Sequence, residues 1–124
     1  MGTRQVRPGD LVAVVLPHHR PDGTEQEGYR PAVVVGFPDV LGQPRFPLVL
    51  LAPVTTDRNQ PWAVRSPYLY PRLPAATAGL LSPSVVLLDQ LRSVDVRRVR
   101  KYLGTLPAEH FGRICAGLTT MIGG

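Results

Sequence analysis

Pro31-Ala32-Val33-Val34-Val35-Gly36-Phe37 and Leu48-Val49-Leu50-Leu51-Ala52-Pro53-Val54 are two apolar runs joined by a turn-rich stretch around Gly42. The first is valine-rich with proline tolerated at its opening position, and both read as strands. If they form an antiparallel hairpin about Gly42, opposed residues have numbers summing to about 85. Arg30 and Thr55 then fall opposite one another, on the same rim of the sheet, give or take the one residue that a bulge can add. A guanidinium and a hydroxyl on one rim suit a phosphate, because the first neutralises charge and the second donates a hydrogen bond. Taken alone, the pair is better explained as a solvated arginine and a Thr-Thr turn.

Working outward, Leu11 to Leu16 (LVAVVL) is a third apolar run, opened by Pro8-Gly9-Asp10, and it reads as the first strand of the chain. His18 to Tyr29 is a polar loop containing Pro21, Gly23 and Gly28. Trp62 to Arg65 reads as a short fourth strand, and Ser66 to Ala78, with its three prolines, as irregular surface chain. Ser84 to Leu91 is another strand, continuing through Val94, and Val99 to Leu106 a last strand, with a short helix as the alternative.

The tail changes period. Phe111, Ile114, Cys115, Leu118, Met121 and Ile122 follow helical spacing and form one apolar stripe. Thr105 and Pro107 suit the cap and first turn, Glu109 suits the positive end of the helix dipole, and Gly123-Gly124 ends the helix. Gly117 inside it costs about 1 kcal/mol relative to alanine, which points to close packing against the sheet. The expectation is one domain, 1–124, mainly β: five to seven short strands closed into a small barrel with a C-terminal helix. No internal repeat or linker is visible.

Composition agrees. Apolar residues make up 44% of the 124 residues, enough for a core, and the 14 prolines and 12 glycines favour short strands over a helical bundle. Met1 to Asp10 lacks the apolar stretch of a secretory signal, and the longest apolar run, Phe46 to Val54, is far short of the roughly 20 residues that span a bilayer. The single cysteine, Cys115, suits a reducing cytosol and reads as a buried small hydrophobe. A cytoplasmic protein with no membrane partner is therefore expected. The net charge is +5, and every basic residue but Lys101 is arginine, whose planar donor fork matches phosphates.

Several chemistries lack their residues. There is no Cys/His spacing for zinc, no carboxylate cluster for magnesium and no Gly-rich phosphate loop, so neither metal nor cofactor is expected. One cysteine and three histidines leave little room for a Cys-His nucleophile. What remains is a set of polar residues at strand ends: Glu25, Gln26, Arg30, Thr55, Thr56, Asp89, Gln90 and Arg92. His18 and His19 sit in a loop with no partner legible in the sequence and read as exposed or as aids to binding. Arg97, Arg98, Arg100 and Lys101 form a basic run that reads as a solvated face, with phosphate contact credible if it flanks a site. Trp62, Tyr68 and Tyr70 could stack bases, although packing is the commoner use of Trp62.

Four segments together resemble the MazF/PemK family of toxin ribonucleases: Arg7-Pro8-Gly9-Asp10-Leu11-Val12; Glu25-Gln26-Glu27-Gly28-Tyr29-Arg30-Pro31-Ala32-Val33-Val34-Val35; Ala52-Pro53-Val54-Thr55-Thr56; and Leu88-Asp89-Gln90-Leu91-Arg92-Ser93-Val94-Asp95. "GD" before a strand is weak evidence, but "EQ-x-G-x-RP-x-x-V", "P-x-T" and "DQ-x-R-x-x-D" in that order are specific. The resemblance implies an SH3-like small β-barrel of the MazF/CcdB/Kid type, a homodimer, and metal-independent cleavage of single-stranded RNA at short motifs. The products implied are a 2′,3′-cyclic phosphate and a 5′-hydroxyl. A cognate antitoxin would thread an acidic, largely disordered tail along the basic site.

By position, Arg30 matches the family's catalytic arginine and Thr55 its catalytic threonine. Glu25, Gln26, Thr56, Gln90 and Arg92 match positions that line the site or touch RNA. Asp89 matches a carboxylate proposed to act in some relatives and is a second candidate for the base, equally readable as a strand-end acceptor of backbone hydrogen bonds. The chain departs from some relatives at Thr24, where they carry histidine, and at Leu87, where they carry arginine. Two other readings share the resemblance: a gyrase-poisoning toxin of the CcdB type, which has this fold without enzymatic activity, and an inactive nucleic-acid-binding barrel.

Overall fold

The computed structural model describes residues 5–18, 23 and 26–123. Seven strands lie in chain order: β1 (Asp10–Leu16), β2 (Gly28–Gly36), β3 (Leu48–Thr56), β4 (Arg72–Leu73), β5 (Ser84–Val86), β6 (Arg92–Asp95) and β7 (Val99–Thr105). Helix α1 (Pro61–Val64) is a single turn, and α2 (Ala108–Ile122) closes the chain. All pairings are antiparallel, in the order β4-β5-β3-β2-β1-β7, with β6 pairing the first half of β3. The result is a curled, mainly β sheet with a C-terminal helix, as the sequence implied.

The hairpin register agrees with its sequence reading. Ala32 pairs with Pro53, Val33 with Ala52 and Val34 with Leu51, and the ladder slips by one residue only beyond Val34, away from Arg30 and Thr55. Along the central strands the side chains alternate between two cores. Leu11, Val33, Ala52 and Val54 join Ile114 and Leu118 of α2 on one face. Val12, Val14, Leu16, Ala32, Val34, Val49 and Leu51 face the other, where Val94, Val96 and Val99 close over them. Both faces of β1 to β3 are therefore buried, which is why their sequences are continuously apolar rather than alternating.

The Gly9-Asp10 pair has a structural task. Gly9 adopts φ +95°, and a Cβ there would lie 3.4 Å from the Phe111 ring of α2. Buried Asp10 accepts from the Arg7 amide (2.8 Å) and the Thr105 hydroxyl (2.8 Å), tying the turn before β1 to the end of β7. Thr105 is thereby a strand residue, and the residue preceding α2 is Pro107, not a hydroxyl cap.

Three further expectations are corrected. Trp62 to Arg65 is not a strand: Pro61 pre-sets the helical φ at a first-turn position, and the Ala63 and Val64 amides both donate to the Gln60 carbonyl, forming α1. The run Ser84 to Val94 is not continuous. β5 pairs Val54–Thr56 and β6 pairs Leu48–Leu51, so the chain must turn a corner at Leu88–Gln90 to serve both halves of β3. Pro53, which has no N–H to extend a ladder, lies at that changeover, and its carbonyl accepts from the Leu87 amide (2.9 Å). Cys115 lies on the exposed side of α2, because Ile114 and Leu118 hold the centre of the buried stripe and residue 115 is turned about 100° from it. Partial burial still pushes its thiol pKa up, which disfavours the reactive thiolate. Gly117 behaves as expected, since a Cβ there would meet Leu88 Cδ1 at 2.7 Å and the Tyr68 carbonyl at 3.3 Å.

Candidate phosphate-binding site

Arg30 and Thr55 line one depression of about 430 Å³. Its floor comes from Ala13 of β1, Tyr29 to Pro31 of β2 and Val54 to Thr56 of β3; its walls come from residues 79–82 and from Lys101 and Leu103 of β7. β3 creates the opening. Beyond the Ala32–Pro53 pair it leaves β2 and pairs β5 instead, so the rim between Arg30 and Thr55 is splayed rather than laddered.

The wall opposite is set by close backbone approach. Gly79 and Gly104 leave no room for a side chain: a Cβ on Gly79 would meet the Leu103 carbonyl oxygen at 2.5 Å, and one on Gly104 would meet the Ala78 carbonyl carbon at 2.5 Å. Ala76 and Ala78 sit at φ +67° and +50°, left-handed conformations that cost about 1–2 kcal/mol each in L-residues. This strained turn bridges β7 to the β4–β5 end of the sheet, where no strand ladder joins the two among the described residues.

Arg30 and Lys101 are the charged side chains lining the depression among its described residues, and no carboxylate lines it. Arg30 is exposed, its Nε donating to the Glu27 carbonyl at 3.2 Å, which leaves the guanidinium's outer donors pointing away from that bond. Thr55 is half-buried and Thr56 exposed. The depression thus combines two cationic side chains with hydroxyls from Thr55, Thr56, Ser82 and Ser84, although the Ser84 hydroxyl donates to the Ser82 carbonyl (2.9 Å). The hairpin argument located Arg30 and Thr55. Lys101 and the serines come from distant segments, and no spacing in the sequence links them to the pair.

The remaining candidates divide. Gln26, Gln90 and Arg92 form a hydrogen-bonded cluster of their own. Arg92 Nη1 donates to the Gln26 carbonyl (2.7 Å), Arg92 Nη2 to Gln90 Oε1 (2.8 Å), and the Gln26 amide to the same Oε1 (3.1 Å). This cluster fastens the end of the loop before β2 to the corner at 88–92. Gln90, Arg92 and Asp89 line a second depression of about 460 Å³, separate from that of Arg30 and Thr55. Glu25 and His19 lie outside the described residues. His18, expected to be exposed, is so, but its Nδ1 is 2.7 Å from Glu27 Oε1, a partner the sequence did not reveal.

Asp89 is engaged: it accepts from the Tyr70 hydroxyl at 2.6 Å, while Trp62 meets the Tyr70 ring edge-on at 4.9 Å. The bond to Asp89, with burial and the nearby carboxylate charge, raises the Tyr70 pKa from 10.0 to about 12. A raised phenol pKa means stability that is full below pH 10 and lost as pH climbs through about 12. In an ultraviolet titration of the native protein, one of the 4 tyrosines should ionise late, and Asp89→Asn should return it toward 10. A titration with no late phenol would show that the bond does not persist.

Among the described residues no group of three or more histidine, cysteine or acidic side chains is arranged to hold a metal ion. No helix among them is long and apolar enough to cross a membrane.

The fold and this depression define a small, curled antiparallel β protein with a helix on one face and a basic depression at a splayed sheet rim. The profile of the PemK-like, MazF-like toxins of type II toxin-antitoxin systems matches residues 7–122, and the chain belongs to that family. Its structure is similar to MazF from Deinococcus radiodurans, with 26% identity and a TM-score of 0.72, covering 98% of this chain and 100% of that one. It is also similar to a MazE-MazF structure from the same organism, at 28% identity and TM-score 0.62, over 94% of each chain. Mycobacterium tuberculosis toxin MazF-mt6, at 20% identity and TM-score 0.60 over 90% of this chain and 95% of that one, shares the fold. No curated protein sequence matches the chain significantly.

Proposed function

We propose that the chain is a metal-independent endoribonuclease that cuts single-stranded RNA, with Arg30 and Thr55 as its catalytic residues. The observation that carries this reading is their meeting, with Lys101, in a depression of about 430 Å³ that no carboxylate of the described residues lines. In the reaction the ribose 2′-hydroxyl loses its proton and attacks the adjacent phosphorus. The P–O5′ bond breaks, the leaving oxygen takes up a proton, and a 2′,3′-cyclic phosphate and a 5′-hydroxyl result. Negative charge builds on the non-bridging oxygens, where the Arg30 fork and the Thr55 hydroxyl can bind it. Arginine keeps its proton at neutral pH, so Arg30 serves as an electrostatic clamp rather than a base. Asp89 holds Tyr70 and lines the other depression; we assign it to positioning that ring. Gln26, Gln90 and Arg92 tie the chain just before β2 to the corner at 88–92, where we assign them to contacts with RNA beyond the cleaved nucleotide, and Thr56 lines the cleavage depression.

The protein acts as a cytoplasmic homodimer and is held in check by an antitoxin whose acidic tail competes with RNA for the basic face. The relationship to a MazF solved with MazE supports the antitoxin. The deciding experiment is incubation of a long RNA with purified protein in EDTA. Cuts at a recurring short motif, ending in cyclic phosphate and 5′-hydroxyl, are expected. Intact RNA together with inhibited gyrase supercoiling would replace the nuclease with a topoisomerase poison.

A further inference from the structure

The basic run after the Asp-Gln motif has a place in the fold that its spacing did not show. Arg97, Arg100 and Lys101 line a groove of about 760 Å³ together with Arg7, which reaches it from the turn before β1. Phe37, Val99 and Tyr102 add apolar and aromatic walls. Lys101 lines both this groove and the Arg30–Thr55 depression. Such sharing is possible because β7 is an edge strand of the sheet and the long side chain of Lys101 is exposed there.

The charges do not cancel. Arg97 is matched by Asp95, which takes its Nη2 at 2.8 Å and its Nε at 3.0 Å; the bond to Arg97 holds the Asp95 carboxyl at about 2. Asp39 is the acidic residue among the groove's lining, against Arg7, Arg100 and Lys101, all exposed. Cations from two ends of the chain, converging beside aromatic rings, are what single-stranded nucleic acid binds: phosphates on the charges, bases on the ring faces.

We propose that this groove is a second stretch of the substrate track, taking backbone phosphates of nucleotides that flank the cleaved one, with Lys101 as the link between the two. The proposal rests on the nuclease reading for its substrate, and it commits to RNA over an acidic peptide because Lys101 borders both the groove and the cleavage depression.

The test is binding of uncleavable 2′-O-methyl RNA, about 5 or about 15 nucleotides long, to wild type and to the Arg7→Gln/Arg100→Gln double variant. Both positions are exposed, and a thermal melt checks that the fold is kept. The double variant should bind the longer RNA about tenfold more weakly, with its log–log salt slope shallower by roughly 1.4 for two lost phosphate contacts, while affinity for the shorter RNA stays the same. Unchanged binding of the longer RNA would mean a merely solvated patch and would overturn the proposal. Equal losses for both lengths would make the groove part of the cleavage pocket, and weakened binding of a poly-glutamate peptide alone would make it a protein-docking surface. Either result also overturns it. Length-dependent binding by a wild type that never cuts RNA would support the track and sink the nuclease reading separately. Should the double variant melt early, Arg100→Gln alone must reproduce half of the slope change for the proposal to stand.

Discussion

Replacing Arg30 with alanine is expected to slow RNA cleavage by about 10²- to 10³-fold, and replacing Thr55 with alanine to slow it by at least about 10²-fold, in each case with EDTA present and with little change in melting temperature. The first effect follows from losing a preorganised donor aimed at developing negative charge, which is worth most where water is partly excluded. Arg30 is exposed and its side chain donates to the Glu27 carbonyl, so its removal opens no cavity in the core. Arg30→Lys keeps the charge but loses the planar fork, and an intermediate rate is expected. The double variant should lose less than the product of the two single losses, because both groups act on one phosphoryl group. Rates are measured on a fluorogenic RNA carrying the mapped motif. Full cleavage by a folded Arg30→Ala protein would remove the catalytic assignment.

Gly104→Ala is expected to destabilise the protein by about 3 kcal/mol, lowering the melting temperature by roughly 10 °C, and to impair cleavage as well. The added methyl would sit 2.5 Å from the carbonyl carbon, 2.6 Å from the carbonyl oxygen and 2.7 Å from the Cα of Ala78, all backbone atoms that cannot swing aside. The turn carrying Gly79 must retreat, and that turn is one wall of the Arg30–Thr55 depression. Gly112→Ala is the matching control: nothing lies within 4 Å of its added Cβ, and in the middle of α2 alanine should gain up to about 1 kcal/mol. Calorimetry of both variants and the same RNA assay check the pair. Wild-type melting and turnover in Gly104→Ala would show that this contact does not set the wall.

The strands were legible where sequence and environment agree. Runs such as Leu11–Val14 and Leu51–Val54 are buried on both faces, so a continuous apolar stretch is a sufficient sign. The helical spacing of the tail marks Ile114 and Leu118 as buried, but the stripe ends before Met121 (43% exposed) and Ile122 (73% exposed). Trp62 and Val64 are strand-forming residue types, but among the described residues no strand pairs with them, and the run forms α1. The corner at Leu88–Gln90 is not legible in the sequence, because Leu-Asp-Gln carries no glycine or proline to announce a turn.

By itself the sequence placed Arg30 and Thr55 on one rim, because two apolar runs joined by a single turn around Gly42 pair antiparallel with numbers summing to about 85, as Ala32–Pro53, Val33–Ala52 and Val34–Leu51 do. It also determined the family, through motifs spread along most of the chain. Only the tertiary structure decided what else surrounds that pair. Lys101, the strained turn at 76–79 and the groove reached by Arg7 come together through contacts between residues far apart in the chain, and such contacts leave no local pattern to read.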